Sequence, residues 1–381
     1  MGVPAPLRHG AWADWQVGDA YTVGAEEEAM LLHPPGWALA HSIETVLPSI
    51  PTELADRVRG ETHRSAIEIG SHPHQYVAEV EADLRELRAG LARAIRPMGL
   101  RAASAGTHPF AVWHDTVVSS GERYQFVYGS MRELARREPT FALHVHVGVP
   151  DPENAIDLVN KMRAHLPLLL AVSVNSPFWQ GRDTGLASAR TPLFQAFPRV
   201  GIPRCFEDYA DYVEAVDLLI RCGSIPEPTF LWWDVRPQPR FGTVEVRIMD
   251  AQARVEETAA IIALVQSIAH LELEEGYISP KAVRAAEVLD ENRFLAARDG
   301  MDAPLIEVDD ERGVPARELL THLVEACRPH ADALGCSDEL ERVLDLAAST
   351  GAERQVALAH EHGRLPGLIE VLADAFADEG G

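Results

Sequence analysis

The sequence predicts an α+β fold, with a largely antiparallel sheet lining a polar site, helices behind it and a helical C-terminal part. Three observations predict it. Four short segments set acids, imidazoles or guanidinium groups on one face and aliphatic side chains on the other. A sheet has this pattern when one side packs on helices and the other lines a polar, metal-bearing cavity. Strands and helices do not alternate regularly, which argues against a parallel βαβ sheet. Beyond residue 276 the periodic segments have helical spacing.

Residues 1–19 read as a lead-in. The first strand covers 21–32, where Glu26 and Glu28 share a face and Glu27 points the other way. Carboxylates this close resist ionising together unless a cation lies between them. A proline-punctuated loop, a helix and a second strand over 65–70 follow; Glu68 there opposes Ile67 and Ile69. Residues 79–96 form an amphipathic helix through Val80, Leu84, Leu87, Leu91 and Ile95, closed by Pro97 and Gly99. A strand over 100–106 and a helix over 122–137 come next. The strand over 141–149 turns His144 and His146 to one face and Leu143, Val145 and Val147 to the other. His144 is expected to pack there rather than to act as a ligand.

A helix over 152–174 enters the loop Asn175-Ser176-Pro177-Phe178-Trp179. Residues 180–203 have no clean period, and a long irregular loop inside a domain is usually functional; it is the expected cover of the site. A helix over 206–221 precedes the segment 233–250. There Val244, Val246 and Ile248 point one way, and Thr243, Glu245, Arg247 and Met249 the other. Glu245 can hold a divalent cation and Arg247 a phosphate oxygen, one pleat apart. Alone, the pair also fits a solvated sheet face; the three companion strands tip the balance. A buried helix over 256–275 and five helices, at 283–298, 316–328, 337–348, 352–362 and 365–377, complete the chain. All 381 residues read as one catalytic domain: lead-in to 19, α+β core over 20–276, helical part over 277–381.

Composition narrows the function. A net charge of −24 argues against nucleic acid or an anionic membrane as partner. No run of about 18 apolar residues occurs, and the N-terminus has no secretory pattern. Cys205, Cys222, Cys327 and Cys336 are scattered without CxxC spacing, as reduced thiols of a cytoplasmic protein are. Neither a P-loop nor a GxGxxG motif is present, and the lysines are only Lys161 and Lys281. Any bound phosphates must therefore be held by arginines and metal ions. Hard oxygen ligands with one or two imidazoles suit Mg²⁺ or Mn²⁺ better than Zn²⁺.

Five segments carry a family likeness: Gly24-Ala25-Glu26-Glu27-Glu28, 143–149 around His144-Val145-His146, Asn175 to Gly181, Ala187-Ser188-Ala189-Arg190, and 232–250. Over about 21–276 the chain resembles the carboxylate–amine ligase family, also named glutamate–cysteine ligase 2. The resemblance implies a glutamine-synthetase-like or guanidino-kinase-like fold, with a curved sheet as the floor of the active site. It implies that Glu26, Glu28, Glu61, Glu68, His146 and Glu245 hold Mg²⁺ around the phosphates of ATP. It implies that Arg247 contacts the transferring phosphoryl group and that Arg190 binds the carboxylate of the acid substrate. Arg236 is a further candidate for nucleotide or substrate. Glu61 has the opposite parity from Glu68, so it needs a loop or bulge to point inward.

The expected reaction joins a small carboxylic acid to an amine. ATP phosphorylates the acid to an acyl phosphate, which the amine displaces; glutamate and cysteine are one candidate pair. A homo-oligomer, a dimer in the first instance, is expected from fold kinship. The stretches Thr62-His63-Arg64, Ser71-His72-Pro73-His74 and His33 to Trp37 depart from the family pattern, and substrate choice is expected to be decided there. Two other readings are open. The HxH strand also fits a metal-dependent amidohydrolase, although such barrels alternate β and α regularly. A non-catalytic ligand-binding member of the ligase fold is the other, because fold does not fix function.

Overall fold

One strand, β1 (Val23–His33), organises the sheet in the computed structural model, which describes residues 10–137 and 139–377. Residues 1–9 of the expected lead-in lie outside the described residues. The other strands are β2 (Ala38–Leu39), β3 (Val58–Gly60), β4 (Ala66–Gly70), β5 (Arg101–Ala103), β6 (Leu143–Gly148), β7 (Val235–Gln238) and β8 (Thr243–Val246). Their order is β7-β8-β6-β1-β4-β3, with β2 and β5 pairing with the far end of β1. Every pairing in this sheet is antiparallel, as the irregular strand spacing predicts.

The two faces of the sheet have different fates. Ala25, Ile67, Ile69, Leu143, Val145, Val147, Val244 and Val246 belong to the main core, together with the helices behind the sheet. Those are α1 (Val77–Ile95), α3 (Pro152–Ser173) and α5 (Val255–Glu274). The longer helices besides these are α2 (Glu122–Met131), α4 (Tyr209–Arg221), α6 (Ala286–Asp299), α7 (Ala316–Leu334), α8 (Ser337–Ala348), α9 (Gly351–His362) and α10 (Leu365–Ala377). Helices α7 and α8 pack on α5, and α6 on α3. On the front, Met30 and Leu32 at the far end of β1 are covered by Leu368, Ile369 and Leu372 of α10. The near end, with Glu26 and Glu28, is left to the site.

Glu27 shows what the back face demands. It is fully buried and takes two hydrogen bonds from Arg88 of α1, at 2.9 and 2.6 Å, and one from Thr258 of α5 at 2.6 Å. Arg88 also donates to the carbonyls of Ala253 and Gln252. A charge buried this way persists only when paired and hydrogen-bonded.

Two local expectations need correction. The strand over 243–249 ends at Val246, and Met249 turns into the core instead of sharing a face with Glu245. The C-terminal part is not wholly helical, because Pro304–Glu307 and Arg312–Pro315 form an antiparallel hairpin before α7. The loop over 180–203 is also structured. It contains a tight hairpin (Phe178–Trp179 with Arg182–Asp183), a helical turn (Arg190–Phe194) and a short pairing of Val200–Gly201 with Trp232–Trp233.

Candidate active site

The sheet register lines the candidate ligands up across the front face. Glu68 stands opposite Glu28, Glu26 opposite His144, His146 opposite Glu245, and Glu245 opposite Arg236. Three groups each bring a ligand atom from every member within 4.8 Å of the others: Glu26, Glu68 and His144; Glu26, His146 and Glu245; Glu28, Glu61 and Glu68. The sheet thus gathers all six of the expected metal-site residues, and His144 joins them. Glu61 reaches the group because β3 stops at Gly60 and the connection to β4 frees it from the strand pleat. One of its oxygens accepts the Thr62 N–H at 2.9 Å.

The electrostatics fit cations more than a bare protein. Burial and the neighbouring Glu61 charge push the Glu28 carboxyl up to about 8. Burial and the charges of Glu26, Glu61 and Glu28 hold Glu68 well above the ordinary carboxylate range. Burial also raises Glu61. Glu26 goes down despite its burial, because the imidazoles of His144 and His146 face it, His144 Nδ1 at 3.4 Å and His146 Nε2 at 3.9 Å. Burial and the Arg247 charge push His144 down to about 4, so its imidazole is neutral near pH 7. The Nε2 atoms of His144 and His146 are buried without a hydrogen-bond partner. Orphaned imidazole nitrogens beside clustered carboxylates are the donor set of a hard divalent cation such as Mg²⁺ or Mn²⁺, and the residues fit it.

Two arginines bond Glu245, and a third, Arg190, bonds the backbone just beyond. Arg236 grips it side-on, with Nε–Oε2 at 2.8 Å and Nη2–Oε1 at 3.2 Å, and gives Nη1 to the carbonyls of Thr229 and Leu231. That leaves little of Arg236 for a ligand. Arg247 donates to Glu245 through Nη1, while its buried Nε has no partner. The two guanidinium groups overcome the burial of Glu245 and hold its carboxyl well below the usual range. Arg190 donates to the carbonyls of Ile248 and Arg247 at 2.9 and 3.1 Å, and its Nε is likewise buried and unpartnered.

Arg190 is set by Asp250, which sequence reading did not single out. Asp250 is fully buried, lies 3.7 Å from Arg190 Nη1, and accepts from the Asn175 N–H, Ser176 and Ser188. The space is tight: a Cβ on Gly106 would fall 2.6 Å from the Asp250 carboxyl carbon. This gives physical content to the motifs around Asn175 and Ser188. Two further residues without a sequence signal, Asp234 and Arg293, join Arg190, Thr191, Trp232 and Arg247 around a small cavity.

In two of the stretches that depart from the family pattern, the side chains have partners within the protein. His63 is buried, with Nε2 2.7 Å from the Ala135 carbonyl, and burial pushes its imidazole down to about 4. Arg64 pairs with Glu44 at 3.2 Å. The His72 N–H and the His74 ring both bond Asp83 of α1. The HxH pair lies on a mid-sheet antiparallel strand, which is not the strand of a β/α barrel. Among the described residues no helix is long and apolar enough to cross a membrane.

Comparison with known proteins gives the family and the shared fold. The model of glutamate–cysteine ligase family 2 matches residues 22–371. A protein of Rubrobacter xylanophilus, provisionally named glutamate–cysteine ligase 2-1, is 41% identical over 355 residues, covering 93% of this chain and 94% of the relative. A Roseiflexus protein with the same provisional type of name is 38% identical over 356 residues, covering 92% and 93%. The fold is shared with glutamate–cysteine ligase of Francisella tularensis, solved in complex with AMP, at a TM-score of 0.67 and 14% identity over 96% of this chain and 90% of that one. It is shared too with a bifunctional glutathione synthetase of Pasteurella multocida, at 0.71 and 12% over 94% of this chain, which spans 52% of that protein. With the family model matching nearly the whole chain and curated relatives agreeing along their length, the chain belongs to glutamate–cysteine ligase family 2 and is an enzyme of the carboxylate–amine ligase class.

Proposed function

We propose that the enzyme joins a small carboxylic acid to an amine with ATP and Mg²⁺, through an acyl phosphate. Mn²⁺ fits the same donors. The observation that carries this reading is the row from Glu68 through Glu28, Glu26, His144 and His146 to Glu245, with the free Nε of Arg247 beside its end. A carboxylate is a poor acyl donor because oxide would have to leave. Phosphorylation supplies a better leaving group: an acid oxygen attacks the γ-phosphorus, and the bond to ADP breaks. The amine nitrogen then attacks the acyl carbon, and phosphate departs.

Most of the catalysis is positioning and charge neutralisation. Glu26, Glu28, Glu61, Glu68, His146 and Glu245 would hold the cations, with His144 Nε2 as a further donor. Mg²⁺ held there would supply the positive charge that offsets the phosphates. Arg247 would meet the transferring phosphoryl group, and Arg190 the acid's carboxylate. Arg236 would fix Glu245 rather than touch nucleotide. The surrounding loop over 180–203 would keep water from the acyl phosphate.

Glutamate and cysteine are the first pair to try, since the relatives' names carry them. Purified protein is given ATP, Mg²⁺ and a panel of acid and amine pairs, and ADP release is measured. ADP release that needs both acid and amine and stops with EDTA supports the reading. Amide hydrolysis without ATP would overturn it.

A further inference from the structure

The connection between β7 and β8 carries Phe241 to the rim of the candidate metal site. Its ring lies 6.1 Å from that of His146, centroid to centroid, and crosses it at 78°. His146 is one of the clustered candidate ligands, with its Nδ1 3.0 Å from Thr243 Oγ1. Phe241 thus stands beside the end of the row where His146 and Glu245 meet, yet it is 53% exposed. The turn holds it in place. The Phe241 N–H donates to the Gln238 carbonyl at 3.0 Å, and the Gln16 N–H to the Pro239 carbonyl at 2.9 Å. Gly242 follows with a φ of +64°, and the Gln16 carbonyl leaves no room for a Cβ there. The guanidinium carbon of Arg240 lies 5.8 Å from the ring centroid; Arg240 is exposed, and exposed side chains rearrange in nanoseconds.

A lone exposed phenylalanine is ordinary on a protein surface. This one is fixed at the edge of a candidate metal site, where it offers a flat apolar face. Elsewhere the row is closed to such a group: Met30 and Leu32, at the far end of β1, lie under α10, and Glu28, Glu61 and Glu68 make the stretch before them acidic. We propose that the open face of Phe241 is the shelf on which the nucleobase of ATP stacks. The proposal rests on the reading of the row as the holder of the metal-bound phosphates of ATP. It goes beyond that reading by assigning the nucleoside end to a residue outside the metal set. A ring already fixed by its turn loses little freedom on binding.

The test separates the base from the phosphates. Binding of ADP and of inorganic tripolyphosphate, each with Mg²⁺, is measured by calorimetry on the full chain, so turnover is not needed. Phe241→Ala should weaken ADP about tenfold, the usual worth of a base stacked on an aromatic side chain, and leave tripolyphosphate unchanged. Phe241→Trp should keep ADP at the wild-type affinity or better. Phe241→Leu, which keeps apolar bulk without a ring, should lose as Phe241→Ala does. ADP held equally by the wild type and Phe241→Ala, an equal loss of both ligands, or full affinity in Phe241→Leu overturns the proposal and leaves the ligase reading standing. No Mg²⁺-dependent binding of ADP by the wild type sinks the nucleotide reading, and the proposal with it.

Discussion

Glu28 and Glu68 face each other directly across β1 and β4, two carboxylates on neighbouring antiparallel strands with Glu61 beside them. In the metal-free protein the arrangement works against itself. Burial and Glu61 push Glu28 up to about 8, and Glu68 is held well above the usual range. A carboxyl raised on folding contributes stability that is present below its unfolded pKa, about 4.3, and is lost as pH rises through its folded value. The Tm of EDTA-treated protein should therefore fall between about pH 6.5 and pH 8, above the range in which the lowered His144 and His63 still add stability with rising pH. Cations must displace these protons, so added Mg²⁺ should raise Tm more at pH 8 than at pH 6. Thermal melts with and without Mg²⁺ across that range check this, and a Mg²⁺ effect independent of pH would contradict it.

Arg247→Lys keeps a positive charge but loses the planar fork. Arg247 bonds Glu245 through Nη1 and keeps a buried, unpartnered Nε, a geometry that an ammonium cannot reproduce. The substitution should lower kcat by about 10²-fold or more while changing KM for ATP by only a few-fold. Steady-state ADP release checks the split; an unchanged kcat would remove Arg247 from phosphoryl transfer.

How much of this was legible in the sequence follows from what side-chain parity can carry. Alternation is local, so it puts Glu26 with Glu28, His144 with His146, and Glu27 on the other face. Register between strands is not local, so nothing in the sequence sets Glu28 against Glu68 or His146 against Glu245. Glu61 was recognisable only through family likeness, because a turn rather than a pleat aims it. Arg293 and Asp234 meet over 59 residues of chain, and α6 reads as an ordinary amphipathic helix. The hairpin before α7 was hidden because its two strands are only four residues each.

The thiols should divide by burial. Cys222 is exposed, whereas Cys327 and Cys336 are buried and pushed up to about 12 and about 11 by that burial. The thiolate is the reactive form, so at pH 8 Cys222 should react with a disulfide reagent in seconds to minutes, and Cys327 and Cys336 only after unfolding. Timed labelling with peptide mapping checks the order. Early modification of Cys327 in the native protein would contradict it.

The buried Glu27–Arg88 pair predicts a large loss of stability from a residue one position away from two candidate ligands. Both oxygens of Glu27 are engaged by Arg88, and Thr258 adds a third bond. Glu27→Ala would leave the Arg88 guanidinium buried without its counter-charge, since the backbone carbonyls that remain carry only partial charge. Breaking one side of a buried pair costs about 3–5 kcal/mol. Glu28→Ala, on the open face of the same strand, should cost under about 1 kcal/mol in metal-free protein, because it removes a carboxyl that burial and Glu61 already push up. Urea unfolding of the two variants in EDTA measures the contrast. Equal losses would mean that the two faces of β1 are not divided between fold and site as described.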